Sequence, residues 1–382
     1  MHKPLKVVSI SHTAIRDGNG RLRYHALADG KEIDLTLVVP DRWKEYGGER
    51  TADPPLPPLD IRLSSIRFPE FGRAKWYMHY YPHLAALMDE LRPDVLHLWE
   101  EPWSIIALQA ARLCKKQTPR PGLVLETEQN ILRRLPLPFE RIRRYTLRHT
   151  DALVVRQPEA LEVCRACGYR GPGVIVEYCV DPSVFYPANR EGARLEFAMG
   201  GFTIGYVGRL VPEKGLITVL EALCLCKQDV RFFLLGEGPE LESLRNRVSQ
   251  LHLEHRVRFL PSTPQDKVAR FMNALDALVL MSQTTRTWKE QFGRVIMEAQ
   301  ACGVPVIGSD SGAIPSVVGK GGWIVKESDA VGLGQVLDRL AANSKEIVAA
   351  GTEGIAQAST RFSPGKVSLD LREAFLLSRR QG

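Results

Sequence analysis

The chain has 382 residues, 44% hydrophobic and 25% charged, with a net charge of +7, a composition that excludes disordered and fibrous classes. That length accommodates two domains with cores of their own. No apolar run reaches the span of a membrane helix and Val7–Ile10 is too short for the core of a secretion signal, so the expected location is the cytoplasm.

From the N-terminus, short apolar runs alternate with helical periodicity, the pattern of parallel sheets built from βαβ units. The first series of expected strands is Leu5–Ile10, Ile33–Val39, Ile61–Ile66, Asp94–Leu98, Leu123–Thr127, Ala152–Val155 and Val174–Val176. Helices fall between them, for example Trp76–Leu91 and Trp103–Lys115. The run Asp53-Pro54-Pro55-Leu56-Pro57-Pro58 reads as a surface loop. His97 and Glu100 close one strand, where a histidine is either a cleft residue or a structural one. Arg133, Arg134, Arg141, Arg143, Arg144 and Arg148 then crowd a stretch that also holds Leu135, Leu137, Phe139, Ile142 and Leu147. Two readings of it stay open. It meets an anionic membrane surface or a pyrophosphate-bearing acceptor, or it is a solvated arginine face on a core helix. Nucleic acid is not expected, because no recognition motif accompanies the charge. Cys164 and Cys167 form a C-x-x-C, but without a second pair at zinc spacing they read as residues of a helix ending at Gly168. The seven cysteines are scattered and odd in number, which fits a reducing compartment.

A linker follows at Asp181-Pro182-Ser183-Val184-Phe185-Tyr186-Pro187. The second series of expected strands is Phe202–Val207, Val230–Leu235, Val257–Leu260, Ala277–Met281, Val304–Ile307 and Trp323–Val325. The expected organisation is therefore α/β, with two Rossmann-like doubly wound domains, 1–185 and 186–362, facing a cleft. A terminal helix in 363–382, near Lys366–Leu377, is expected to cross back to the first domain.

Chemistry gathers at the strand ends of the second series. Gly205-Tyr206-Val207-Gly208-Arg209-Leu210-Val211-Pro212-Glu213-Lys214-Gly215 leads from a strand into a helix and places Arg209 and Lys214 where cations neutralise a diphosphate. Gly236-Glu237-Gly238-Pro239 ends the next strand and lets backbone come close to a ligand. Glu290 and Glu298 are separated by seven residues. Gly293 breaks the segment between them, so Glu290 is expected in a loop and Glu298 inside the helix that follows. Carboxylates accept hydrogen bonds from hydroxyls, and the helix N-terminus beside them suits a phosphate. A sugar nucleotide carries both groups. Ser309-Asp310-Ser311-Gly312-Ala313-Ile314-Pro315 opens a further helix, with Pro315 in its first turn.

With these elements in one order, the chain resembles the retaining, nucleotide-sugar-dependent glycosyltransferases of the GT-B fold, in particular family four. The resemblance is strong over Gly205 to Val325, covers the two-domain plan of the chain, and is most specific at the Glu290/Glu298 pair, at Val207–Gly215 and at Ser311–Pro315. It implies that Glu298 holds the donor ribose, that Glu290 meets the transferred sugar, and that Arg209 and Lys214 bind the diphosphate. It places Phe292 and Gly293 at the sugar or phosphate, and Leu260 to Thr263 near the base, with Gly208 and Gly236 as close-approach positions. Ser11 to Gly20 is the counterpart of a glycine-rich first loop, with Gly18 and Gly20 allowing a phosphate to approach. Where many members carry a histidine, this chain has Glu126-Thr127-Glu128-Gln129-Asn130, and Gln129 can neither act as a base nor carry charge. His97, Glu126, Glu128, Arg133, Arg134, Arg143 and Arg144 are the candidates for acceptor or membrane contact.

The implied reaction moves a hexose-type sugar from a nucleotide-diphosphate sugar to a saccharide or lipid-linked acceptor. No Asp-x-Asp motif stands at a strand end, so no obligatory metal is expected. Two alternatives remain at this level: a GT-B epimerase or phosphorylase, and a non-catalytic sugar-nucleotide or glycan-binding subunit.

Overall fold

Along β1 (Leu5–Ile10), Leu5 and Val7 turn to one face and Val8 and Ile10 to the other, and both faces are buried. The structure, a computed structural model, describes residues 3–17, 20–45, 48–69 and 75–379. Along the chain follow β2 (Ile33–Pro40), β3 (Arg42–Glu45), β4 (Gly48–Thr51), β5 (Asp60–Ser64), β6 (Val95–Trp99), β7 (Gly122–Thr127), β8 (Ala152–Val155) and β9 (Gly173–Ile175). β3 and β4 form an antiparallel hairpin. The others make a seven-stranded parallel sheet in the order β5-β2-β1-β6-β7-β8-β9. Its two covered faces explain why the strands read as continuous apolar runs rather than alternating ones. Leu35, Leu37, Val95, Val124 and Val154 join Leu5 and Val7 on one face; Leu96, Leu98, Leu123, Leu125 and Leu153 lie on the other.

A second sheet is built from β10 (Phe202–Val207), β11 (Val230–Leu235), β12 (Val257–Leu260), β13 (Ala277–Leu280), β14 (Val306–Ser309) and β15 (Gly322–Val325). Its strands are parallel, in the order β12-β11-β10-β13-β14-β15. In each sheet the strand order reverses once, between β1 and β6 and between β10 and β13. Such reversals are where doubly wound sheets hold ligands, beyond the carboxyl ends of the strands.

The chain divides into two units, one running to Cys179 and resuming at Pro364, the other spanning Val180–Ser363. The boundary expected at 185 falls a few residues beyond this division. The terminal helix Pro364–Leu377 packs on the first unit's helix Leu22–Asp29 and on β8 and β9, inserting Val367, Leu371, Ala374 and Phe375 into the core.

Two local expectations are corrected. In place of one helix over Trp76–Leu91 there is a 3-10 turn at Trp76–Met78 and a helix only at Leu84–Leu91. Pro82 lacks an amide donor and biases Tyr81 to extended backbone, and Tyr80 instead bridges Arg67. β5 stops at Ser64, short of Ile66. The hairpin of β3 and β4 was not anticipated.

Candidate functional site

β10 and β11 lie side by side and each is followed directly by a glycine, Gly208 and Gly236, both at φ 150°. A Cβ on Gly236 would stand 1.9 Å from the Gly208 carbonyl oxygen, so the two strand exits touch through bare backbone. The chain then turns through Pro212–Lys214 to Gly215, at φ 64°, where a Cβ would stand 1.9 Å from the carbonyl of Met281. Gly215 therefore brings the loop after β10 onto the exit of β13, across the strand-order reversal.

This crossing unites Lys214 with Glu290. The Lys214 ammonium donates to Glu290 Oε2 at 2.6 Å, and Ser282, just beyond β13, donates to the same oxygen at 2.8 Å. Lys214 Nζ also lies 4.8 Å from the centre of the Trp288 ring. The backbone carbonyl of Glu290 accepts from the Ala313 amide at 3.1 Å. Ser309 closes the frame, donating to the Ser282 carbonyl at 2.5 Å. Glu290 is thus buried, at 7% exposure, yet its carboxylate is neutralised by one cation that still reaches solvent. Arg209 is exposed beside it, and its carbonyl accepts from the Tyr206 hydroxyl at 2.7 Å. Burial chiefly, then the Glu290 charge, pushes the Tyr206 phenol up, while Arg209 opposes them. Tyr206 stays a neutral donor between the two charges.

Gly293, at φ 79°, precedes the helix Arg294–Ala301, whose N-terminus carries no side-chain cap. Glu290 lies in the loop before it and Glu298, half-buried, within it. The Phe292 side chain is buried against Phe362, which fixes the backbone at the helix start. Leu260 ends β12 and its carbonyl accepts from the Gly236 amide at 3.0 Å. The structure thus gathers Gly208, Arg209, Lys214, Gly236 and Glu290 around the exits of β10, β11 and β13. Gly18 lies outside the described residues. Ser282 was missed: it follows an expected strand directly, but nothing in the neighbouring sequence marks it.

The remaining candidates lie in the first unit, and two are corrected. His97 and Glu126 are fully buried, on the face of the sheet shared with Val95 and Val124. Glu126 accepts from Arg23 at 2.8 and 2.7 Å, from His97 Nε2 at 3.0 Å, and from Arg156. Burial alone would raise the Glu126 carboxyl, but Arg156 and Arg23 overcome it and hold the group well below the usual carboxylate range. Burial likewise lowers His97. These groups bond to one another inside the core, where neither His97 nor Glu126 is exposed. Glu128 is partly exposed but bonded to Trp99, Arg156 and Tyr178. Arg133, Arg134, Arg143, Arg144 and Arg148, by contrast, line one concavity of about 690 Å³ with Leu132, Leu135 and Cys167. Arg143 is buried there, held by Glu140 and by the Arg133 carbonyl at 3.1 Å, and its Nε has no hydrogen-bond partner.

Two doubly wound parallel sheets, each with one reversal, define the class: an α/β protein of two Rossmann-like units. Residues 189–356 match the family model of glycosyl transferases group 1. The second unit is thus a group 1 glycosyltransferase domain, and the fold is that of the GT-B glycosyltransferases. Among curated proteins, the chain is 40% identical over 107 residues to N-acetyl-alpha-D-glucosaminyl L-malate synthase of Bacillus anthracis, covering 28% of this chain and 26% of that one. It is 28% identical over 228 residues to D-inositol 3-phosphate glycosyltransferase of Mycolicibacterium gilvum, covering 57% of this chain and 47% of that one. The matches span half or less of these relatives' length. The solved structure of HepE from Anabaena in complex with UDP is alike over 97% of this chain and 98% of that one, with a TM-score of 0.73 at 18% identity. That likeness is one of fold.

Proposed function

We propose that the protein is a retaining hexosyltransferase that moves a sugar from a nucleotide-diphosphate sugar to a saccharide or lipid-linked acceptor held by the first unit. The observation that carries this reading is the Lys214–Glu290 pair, seated where the second sheet's strand order reverses, inside the group 1 domain. Lys214 and Arg209 offer positive charge to the diphosphate as it departs. Glu290 accepts hydrogen bonds from the transferred sugar and Glu298 from the ribose, while the amides at Phe292 and Gly293 serve sugar or phosphate. Gly208 and Gly236 leave room for the donor, and Leu260 borders the base. One of the relatives is named as a glycosyltransferase, and the bound UDP of HepE supports a nucleotide as the donor's handle.

In the transfer, the acceptor oxygen attacks the anomeric carbon on the face from which the diphosphate leaves. The bond to the diphosphate oxygen breaks with its electron pair passing to that oxygen, and the acceptor's proton goes to the diphosphate. The protein's part is to position and to stabilise charge. Two cations supply that charge, so no obligatory metal is proposed. Retention is tested without the acceptor. The sugar first released by slow hydrolysis of the donor, read by NMR before it equilibrates, should keep the donor's anomeric configuration; the opposite anomer contradicts the mechanism.

The arginine concavity supports an anionic contact at the first unit, with an anionic membrane face or a pyrophosphate-bearing lipid, for a protein working at the inner face of the membrane. Among the described residues no helix is long and apolar enough to cross a membrane. Replacing Arg133, Arg134, Arg143 and Arg144 together by Ala should release the protein from anionic vesicles in co-sedimentation. Unchanged sedimentation with a normal melting curve counts against this contact.

A further inference from the structure

A second cluster stands where the first sheet reverses, between the exits of β1 and β6. His12 follows β1 and Glu100 follows β6, and His12 Nδ1 pairs with Glu100 Oε1. His79 reaches the same carboxylate from the turn before Pro82, its Nε2 lying 3.6 Å from Glu100 Oε1, beyond hydrogen-bond reach. The other nitrogen of His79, Nδ1, is 2.6 Å from the Trp76 carbonyl and must donate to it. A neutral His79 therefore turns a lone pair, not a proton, toward Glu100. Burial, the largest influence, keeps the ring below its ordinary value against the pull of Glu100.

Three buried atoms there, His79 Nε2, Glu100 Oε2 and the Tyr81 hydroxyl, have no hydrogen-bond partner. The Tyr81 ring lies 5.8 Å from that of His79 and its hydroxyl feels the Glu100 charge. Buried polar groups are normally paired, so three orphans at one point call for an explanation. Two of them are acceptors, which a molecule with O–H or N–H donors can join, and the hydroxyls of a sugar or polyol are such donors. The described His, Cys, Asp and Glu side chains form no group of three that could hold a metal ion.

Aromatic rings frame the same point. His12 stacks on Trp43 at 4.3 Å, and Trp43 meets His79 edge-on at 4.9 Å. Trp76 and Phe68 form the open rim, 43% and 36% exposed. Flat apolar rings beside a few convergent polar atoms are the make-up of a small-molecule site. The Glu100 carboxylate at its base repels phosphates and carboxylates, so the ligand carries no negative charge. Nothing here resembles the chemistry of the arginine concavity.

We propose that Glu100, His79 and Tyr81, walled by Trp43 and Trp76, form a subsite for a neutral saccharide or cyclic polyol, which lays a ring face on the indoles and its hydroxyls on the buried polar atoms. This rests on the reading that the first unit holds the acceptor, and it names that acceptor's recognised part as an uncharged ring.

The test is saturation-transfer NMR on the full chain with methyl α-D-glucopyranoside, methyl α-D-mannopyranoside and myo-inositol as probes and inorganic phosphate as competitor. At least one ring should give a saturable signal that phosphate does not displace. Glu100→Gln and Trp76→Ala should each weaken it about tenfold, the effect of losing a charged or stacking partner. Trp76 is at the surface, so its variant tests the site without disturbing the core. No signal from any ring, displacement by phosphate, or a signal indifferent to both substitutions overturns the proposal. UDP-sugar binding and its loss in Glu298→Ala are measured on the same samples. A protein that binds nucleotide but no neutral ring contradicts this inference alone; one that binds neither contradicts the donor reading too.

Discussion

Glu290 is held by groups distant in sequence: Lys214 from the loop after β10, Ser282 beyond β13, and the amide of Ala313 after β14. An ion pair of this kind keeps the lysine in place while leaving it open to a stronger anion. A diphosphate would draw the ammonium toward itself and release Glu290 to the sugar hydroxyls. Lys214→Ala should therefore lower kcat by roughly 10²–10³-fold, the scale of losing one charge-stabilising donor, with a smaller effect on donor KM. An unchanged kcat would remove Lys214 from the chemistry. Lys214 and Glu290 were legible because each sits in a distinctive local motif. Ser282 was not, because its role exists only once β13 is placed beside β10. His97 and Glu126 were misplaced for a related reason. His97 lies within β6 and Glu126 one residue short of the end of β7, and the two-residue period puts both on the face of Val95 and Val124, turned into the core. Residue type suggested a ligand; pleat position decided otherwise.

Nearly every strand of the two parallel sheets was legible, because strands buried on both faces leave unbroken apolar runs between turn residues. The elements that failed were those whose signal is tertiary. The helix expected over Trp76–Leu91 shrinks because Pro82 breaks it, and the hairpin of β3 and β4 contains Trp43, which packs on His12 and His79. At the exit of β6, Glu101 is tied to the end of β7. It accepts from the Thr127 hydroxyl at 2.5 Å and from the Glu128 amide at 3.1 Å. Burial is the main influence and raises this carboxyl from 4.5 to about 7, the two hydrogen bonds opposing it and the charges of Glu128 and Glu100 adding to it. The folded state thus binds this proton more tightly than the unfolded state. Its contribution to stability is complete below 4.5 and is lost as pH rises to about 7. Buried, neutral His79 and His97 act with the opposite sign below their ordinary 6.5, since unfolding lets them charge. Subtracting the profile of Glu101→Gln from that of the parent isolates the carboxyl. The parent's melting temperature should fall, relative to the variant's, across the interval from 4.5 to about 7. A difference that stays flat with pH would contradict the assignment.

Over the whole molecule, the return of Pro364–Leu377 to the first unit makes the chain two interleaved segments rather than beads on a string. The helix that completes the first unit's core is therefore joined to the rest of that unit only through the second. The family match belongs to the second unit, and with it the donor reading; the first unit contributes the arginine concavity and the aromatic cluster around Glu100. Such loop-borne features vary freely on a constant frame, which is why the sequence marked candidate residues of the second unit more clearly than those of the first. The central claim is a nucleotide-sugar site at the exits of β10, β11 and β13, with Glu298 in the adjoining helix holding the ribose. Melting the purified protein with UDP-, GDP-, ADP- and dTDP-sugars, beside Glu298→Ala, tests it most directly. Binding to the folded state must stabilise it, by about 2.7 kcal/mol at a hundredfold excess over Kd. One nucleotide should raise the melting temperature in the parent and fail to do so in the variant. No shift with any of them, or a shift that survives Glu298→Ala, would contradict the account.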